Sequence, residues 1–265
     1  MEASPIPCIH RAAVDLLTLA RDLKRRKARE RRGVFVAEGV RATEELLRSQ
    51  IKCKGAVVSP QLSSNPRGVS LRVALADRGI PVRDVTQAEF LSASDTETPQ
   101  GILAIGEIPD RTLDSLVVPA RAHLLILDAI QDPGNLGTLI RTAAAFAATA
   151  TFVLPGTVDP WNTKVVRSSM GALFRHPVIS CTWEELDVFL RREAIQLWGS
   201  SADGEPMAVV SFPERIAIVA GNEGNGLSDS ARARVSRLIS IPIDPSVESL
   251  NVAVAAGILL YGARQ

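Results

Sequence analysis

Along the first part of the chain, apolar positions alternate between helical and extended spacing. Residues 10–31 place Leu16, Leu19, Ala20 and Leu23 on one helix face, and Gly33 ends that helix before the extended run Val34-Phe35-Val36-Ala37. Residues 40–48 suit a second helix with Leu46 and Leu47 inward. Gly55-Ala56-Val57-Val58 predicts a strand closed by Ser59-Pro60, residues 71–77 a helix, and residues 81–85 an extended segment. Thr86 and Glu89 have the spacing of a capping box ahead of Phe90 and Leu91, and Gly101-Ile102-Leu103-Ala104-Ile105 predicts a further strand. The pattern is that of a small α/β unit over residues 1–110.

Residues 109–122 show no clear period and hold two prolines, Pro109 and Pro119, so residues 111–122 are assigned as a linker. Beyond it, residues 123–265 alternate more regularly. Strands are predicted at 123–130, 150–154, 178–181, 195–199, 216–220 and 238–243, with helical patterns between most of them and a last one at 249–261. Strands separated by helices predict an α/β fold with a largely parallel sheet covered on both faces. In such sheets ligands bind beyond the carboxyl ends of the strands.

Composition adds little to this picture: 46% hydrophobic and 22% charged residues are ordinary for a globular chain. A formal net charge of +1 excludes a uniformly basic nucleic-acid binder. Charge is nevertheless concentrated in residues 21–32, where Arg21, Lys24, Arg25, Arg26, Lys27, Arg29, Arg31 and Arg32 face only Asp22 and Glu30. That run is either a phosphate-contacting segment or a solvated helix face. Cys8, Cys53 and Cys181 lack metal-ligand spacing, so no metal is expected. No secretory pattern opens the sequence and no apolar run has membrane-spanning length, so a cytoplasmic location is expected.

Three loops concentrate the unusual residues. In the first, a strand runs through Asp132-Pro133-Gly134 into the helix-forming Asn135-Leu136-Gly137-Thr138-Leu139-Ile140-Arg141, with Asn135 placed to cap it. Gly137 and Arg141 are four apart and share a face, with the glycine leaving space beside the arginine. In the second, the strand Ile218-Val219-Ala220 opens into Gly221-Asn222-Glu223-Gly224-Asn225-Gly226, where backbone groups can approach a ligand closely. In the third, Ile241-Pro242-Ile243-Asp244-Pro245 leads through Glu248-Ser249-Leu250-Asn251 into an Ala- and Gly-rich helix. Ser249 is a candidate cap there, and Asn251 a partner for nearby backbone. Taken singly, each loop is compatible with ordinary turns and caps.

Taken in order, NLGTLIR, IVAGNEGNGLS and IPIDPSVESLNVAVA resemble the three motifs of the SpoU (TrmH-like) branch of the SPOUT RNA methyltransferases across the C-terminal half. Through FVAEGVRATEELL the N-terminal part also resembles the L30e-like substrate-binding domain of rRNA-modifying members. The resemblance implies a C-terminal α/β trefoil-knot domain, a homodimer formed through it, and S-adenosylmethionine as methyl donor. It implies that Gly221, Asn222, Glu223, Gly226, Ile241, Pro242, Ile243, Ser249 and Leu250 contact the cofactor. Asn135, Arg141, Glu223, Ser249 and Asn251 would form the catalytic set. The basic residues of 21–32, together with Arg141, would contact RNA, with 23S rRNA or a large-subunit assembly particle as the expected partner.

The implied reaction is 2′-O-methylation of an RNA ribose. A tRNA substrate and a catalytically silent RNA-binding factor of the same fold are the alternatives, although the silent factor would be expected to lose motif residues that are all present here. A nucleotide-dependent oxidoreductase would need an early GxGxxG turn, and none is found.

Overall fold

The computed structural model describes residues 15–264. Helices α1 (Leu16–Asp22) and α2 (Arg26–Arg32) precede β1 (Val34–Glu38), α3 (Val40–Arg48), β2 (Cys53–Val58), α4 (Pro66–Asp77), β3 (Val82–Asp84), α5 (Gln87–Ala93) and β4 (Ile102–Glu107). These strands form one sheet in the order β1-β4-β2-β3, with only the β2–β3 pair parallel. One continuous helix over residues 10–31 is not observed. Its start lies outside the described residues, and the remainder breaks at Leu23-Lys24-Arg25. The break has a cause: the Arg29 guanidinium donates to the Leu23 and Lys24 carbonyls at 2.7 and 3.0 Å, taking acceptors a continuing helix would use. Gly33 then ends α2 in the left-handed conformation, and Thr86 and Glu89 form the expected capping box of α5.

The second sheet is built from β5 (Ala122–Leu127), β6 (Ala150–Val153), β7 (Val178–Ser180), β8 (Gln196–Pro206), β9 (Arg215–Ala220) and β10 (Arg237–Ser240). Its order is β10-β8-β9-β5-β6-β7 and all its pairs are parallel. Side chains alternate faces along β5. Leu125 and Leu127 pack with α6 (Pro133–Ala145), α7 (Thr163–Ser168) and α10 (Val252–Arg264), while Leu124 and Ile126 pack with α8 (Trp183–Arg192) and α9 (Asp229–Arg232). Both faces are therefore dry, which is why the central strands are nearly continuous hydrophobic runs.

Three strand ends differ by three residues or more from expectation. β5 stops at Leu127 instead of residue 130, because the chain turns out of the sheet at Ala129 in the left-handed region. β10 stops at Ser240 instead of residue 243, because Pro242 has no amide to donate to the ladder. β8 continues to Pro206 instead of ending at residue 199. Its pairing with β10 jumps from Gly199 to Glu205, so residues 200–204 bulge out of the ladder.

The two sheets meet through side chains of β1. Phe35 stacks on Phe174 at 5.6 Å and against Trp161 at 4.6 Å. Beside them Arg29, 3% exposed, pairs with Asp159.

Candidate active site

In the parallel sheet the chain order reverses between β5 and β9, and the loops that follow these two strands face each other at their carboxyl ends. That is the switch point at which ligands of open α/β sheets bind. The β5 loop leaves the sheet through Ala129, whose φ of 58° is rare for a residue with a side chain. The amide of Asn222, on the β9 loop, donates to the Ala129 carbonyl at 2.9 Å, and its side-chain oxygen accepts from the Gly224 and Asn225 amides. Buried Asp128 accepts from the Ser228 amide at 2.8 Å and closes the same loop from below.

Glu223 is the hub of the site. Its carboxylate accepts from the Asn135 side chain at 3.1 Å and from the Asp132 and Gln131 backbone amides at 3.2 and 3.3 Å. Desolvation pushes its carboxyl up, but the hydrogen bonds from Asn135 and these amides outweigh it and hold the group below the usual carboxylate range. Asn135 accepts in turn from the Asn251 side chain at 3.0 Å. One residue from each of the three motif loops is thus joined in a single chain of hydrogen bonds.

The cluster borders a cavity of about 550 Å³. Gly221, Asn222, Glu223, Gly226, Ile241, Ile243, Ser249, Leu250, Asn135 and Asn251 all line it. Pro242 does not. The volume lies within the range of cofactor pockets, roughly 300–1,000 Å³. Its chemistry fits an adenosyl group: Ile241, Leu250 and Val252 supply apolar walls, and Asn225 and Ser249 supply polar groups. At Gly226, where φ is +67°, an added Cβ would meet nothing within 4 Å, so this backbone is open to an occupant.

Several details correct the sequence reading. Asp132, not Asn135, caps α6, its carboxylate accepting from the Asn135 amide at 2.7 Å; this leaves the Asn135 side chain free for Glu223. Asn251, not Ser249, caps α10, accepting from the Ala253 amide at 2.9 Å. The space beside Gly137 is filled: an added Cβ would lie 1.9 Å from Ser168 Oγ on α7. Ser200, Ser201 and Ala202 line the cavity and were missed, because the bulge that carries them depends on pairing with β10.

Arg141 is not brought to this cluster. It stands nearly one and three-quarter turns further along α6, about 9 Å up the axis and about 120° round from Asn135. It is exposed and has no hydrogen-bond or ion-pair partner among the described residues.

The basic run of residues 21–32 is largely neutralised. Arg25 and Arg32 pair with Asp22, Arg26 with Glu30 and Lys24 with Asp95, while Arg21 donates to Ser92. Buried Arg29 is closed to any RNA by Asp159 and two backbone carbonyls, which overturns its place among the RNA contacts. Lys27 and Arg31 are exposed with no acidic partner among the described residues. No cluster of three or more metal-ligating side chains and no helix long and apolar enough to cross a membrane occurs among the described residues.

Comparison with known proteins gives the family. The SpoU rRNA methylase family model matches residues 122–261, and a model of the MRM3-like substrate-binding domain matches residues 18–104. The chain belongs to the SpoU rRNA methylase family. It is 34% identical to the 23S rRNA (guanosine(2553)-2′-O)-methyltransferase RlmP of Bacillus subtilis, over 91% of this chain and 93% of that protein. It is 30% identical to the human mitochondrial rRNA methyltransferase 3, over 92% of this chain and 70% of that protein. Among solved structures, the SpoU methyltransferase AviRb of Streptomyces viridochromogenes in complex with AdoMet superposes with a TM-score of 0.82 at 27% identity, covering 94% of this chain and 96% of that one. The AdoMet-bound rRNA methyltransferase of Sinorhizobium meliloti gives 0.81 at 26% identity, covering 98% and 96%. The protein is accordingly a methyltransferase, with S-adenosylmethionine as the methyl donor.

Proposed function

We propose that this chain methylates the 2′ oxygen of a ribose in large-subunit (23S) ribosomal RNA, in the cytoplasm, as a homodimer of knotted catalytic domains. Residues 123–265 act as the catalytic domain and residues 1–110 as the substrate-binding domain, joined by the linker 111–122. The observation that carries the reading is the Glu223–Asn135–Asn251 network at the mouth of the switch-point cavity. The names of the similar proteins support the substrate.

Gly221, Gly226, Ile241 and Leu250 would hold the methyl donor, and Ser249 would border it. The bound donor supplies a sulfonium methyl that needs no acid to leave. The chain's own task is therefore to position and activate the ribose hydroxyl, and alignment alone lowers the barrier by several kcal/mol. Glu223, held ionised by its donors, is a poor base and instead fixes Asn135, which with Asn251 orients the ribose. Arg141 stabilises negative charge developing on the 2′ oxygen. A guanidinium pKa above about 12 makes it a poor proton acceptor in isolation.

Arg141 is exposed and stands apart from its own cluster, next in sequence to Thr142, which with Thr138, Phe146, Val254 and Tyr261 lines an open groove of about 470 Å³ between α6 and α10. Val254 and Tyr261 are 52% and 56% exposed, and Asn251 lines both groove and cavity. A second copy seated on this groove would cover its apolar residues and carry its Arg141 toward the first copy's cavity.

The test is transfer of tritium from labelled S-adenosylmethionine into purified rRNA and tRNA. Label recovered in rRNA as an alkali-resistant dinucleotide is expected. Label confined to tRNA would overturn the substrate, and label that is alkali-sensitive would overturn ribose methylation.

A further inference from the structure

The domain junction holds a second cavity, of about 260 Å³, separate from the one at the switch point. One wall is the start of α3 and carries Arg41; the other is the end of α7 and carries Arg167. Neither guanidinium has a hydrogen-bond or ion-pair partner among the described residues, and Nη1 of Arg167 is buried without one. A buried unsatisfied donor is costly, and a guanidinium in that state is matched by an oxyanion that can accept from its fork. Thr96, Thr98 and Gln100 add polar groups to the lining. Glu38 also faces it, but its carboxylate is already occupied by Ser94, the Thr96 hydroxyl at 2.6 Å and the Asp95 amide at 3.0 Å.

The two walls are held in register. Glu45 of α3 pairs with Arg175 at 2.6 Å, and Gly171 packs so closely on Glu45 that an added Cβ would lie 2.8 Å from its side chain. At the rim, Met170 and Gly171 take successive left-handed conformations, with φ of 53° and 88°. For Met170 that is a strained state of the kind that persists where surrounding structure imposes it. The cleft also lies close to the catalytic centre: α7 packs directly on α6, Ser168 donating to the Pro133 carbonyl at 3.1 Å, next to the end that carries Asn135.

We propose that Arg41 and Arg167, one from each domain, hold a backbone phosphate of the RNA substrate in this cleft. The proposal rests on the RNA methyltransferase reading and gives it a docking point. The conspicuous basic run at residues 21–32 is mostly occupied by its own acids, whereas these two arginines lie 126 positions apart and meet only in the folded chain. A phosphate bridging them would couple recognition by the small domain to placement of RNA on the catalytic one.

The test is binding of a fluorescent single-stranded oligouridylate to the full-length protein at several salt concentrations. R41Q, R167Q and the double variant are compared with wild type and with R25Q/R26Q. Loss of one phosphate contact should lower the slope of log K against log salt by about 0.7, and the double variant should bind about tenfold more weakly at low salt. R167K should keep the slope but bind less tightly, since an ammonium lacks the planar fork. R25Q/R26Q should match wild type.

An unchanged slope in R41Q/R167Q overturns the proposal, as does a wild-type protein that binds no oligonucleotide. Wild type that transfers no methyl group to RNA while the slopes follow the expected pattern overturns the methyltransferase reading and supports the phosphate site.

Discussion

Two polar contacts in this chain join distant segments and end very differently. Arg29 reaches Asp159 across 130 positions, and Asn135 reaches Glu223 across 88. The first is closed: the side chains are 4% and 13% exposed, and further guanidinium hydrogens go to backbone carbonyls. The second opens on a cavity, and its members are held by backbone amides and by each other while one side stays free. Both are charge-assisted hydrogen bonds between polar residues far apart in the sequence. Access to the group decides which one welds two domains and which can act on a substrate.

The sharpest way to break that comparison is to remove each contact and ask which property fails. Glu223→Gln and Arg141→Ala should each lower methyl transfer by about 10³-fold, comparable to removing a preorganised charge-stabilising group, with little change in thermal midpoint or in S-adenosylmethionine affinity. Arg29→Ala should do the reverse. It leaves Asp159 buried without its partner and should cost about 3–5 kcal/mol of stability, read by denaturant melts, while surviving folded protein keeps its kcat.

A further change probes a buried group that takes part in neither contact. The His176 imidazole accepts or donates at 2.8 Å to Thr151 and is pushed down to about 4 by burial and then by Arg111. It is neutral in the fold and takes up a proton in the unfolded chain near the ordinary value of 6.5. Its contribution is therefore complete above that pH and is lost as pH falls toward about 4, by up to ~3 kcal/mol. Melting curves across this window should show the decline, and His176→Gln should flatten it. Smaller still is Gly137→Ala, whose Cβ would collide with Ser168 on α7; a loss of roughly 1–3 kcal/mol is expected, with activity falling only as far as the α6–α7 contact shifts.

These contrasts explain what was legible in the sequence. The alternation of strand and helix patterns placed the parallel sheet, and the Thr86/Glu89 spacing placed the capping box, because local spacing and burial act together there. The three motif loops were recognisable, and the structure brings Asn135, Glu223 and Asn251 to one point. The cap at Asp132 was not legible, since Asp132 and Asn135 are equally good capping residues and the choice depends on Glu223 claiming Asn135 from another strand. The wall at Ser200–Ala202 depends on a five-residue bulge opposite β10, which no pattern in β8 alone reveals. The charge run at residues 21–32 misled for the converse reason: density of arginines says nothing of Asp95 or Asp159, whose positions only folding brings near. Arg141 stands in the first motif, but its exposure on α6 apart from the Glu223 cluster follows from the packing of α7 and α10 around the helix.

That separation is the part of the account most open to direct contradiction. If one protomer supplies Arg141 and its partner the Glu223 cluster, mixing unfolded R141A and E223Q chains and refolding them together should restore methyl transfer. About half the dimers would be mixed and each would carry one intact site, so about a quarter of wild-type activity is expected from two variants that are inactive alone. If Arg141 instead serves the cluster of its own chain, every site in the mixed dimers lacks one group. The refolded mixture would then stay as inactive as its parents.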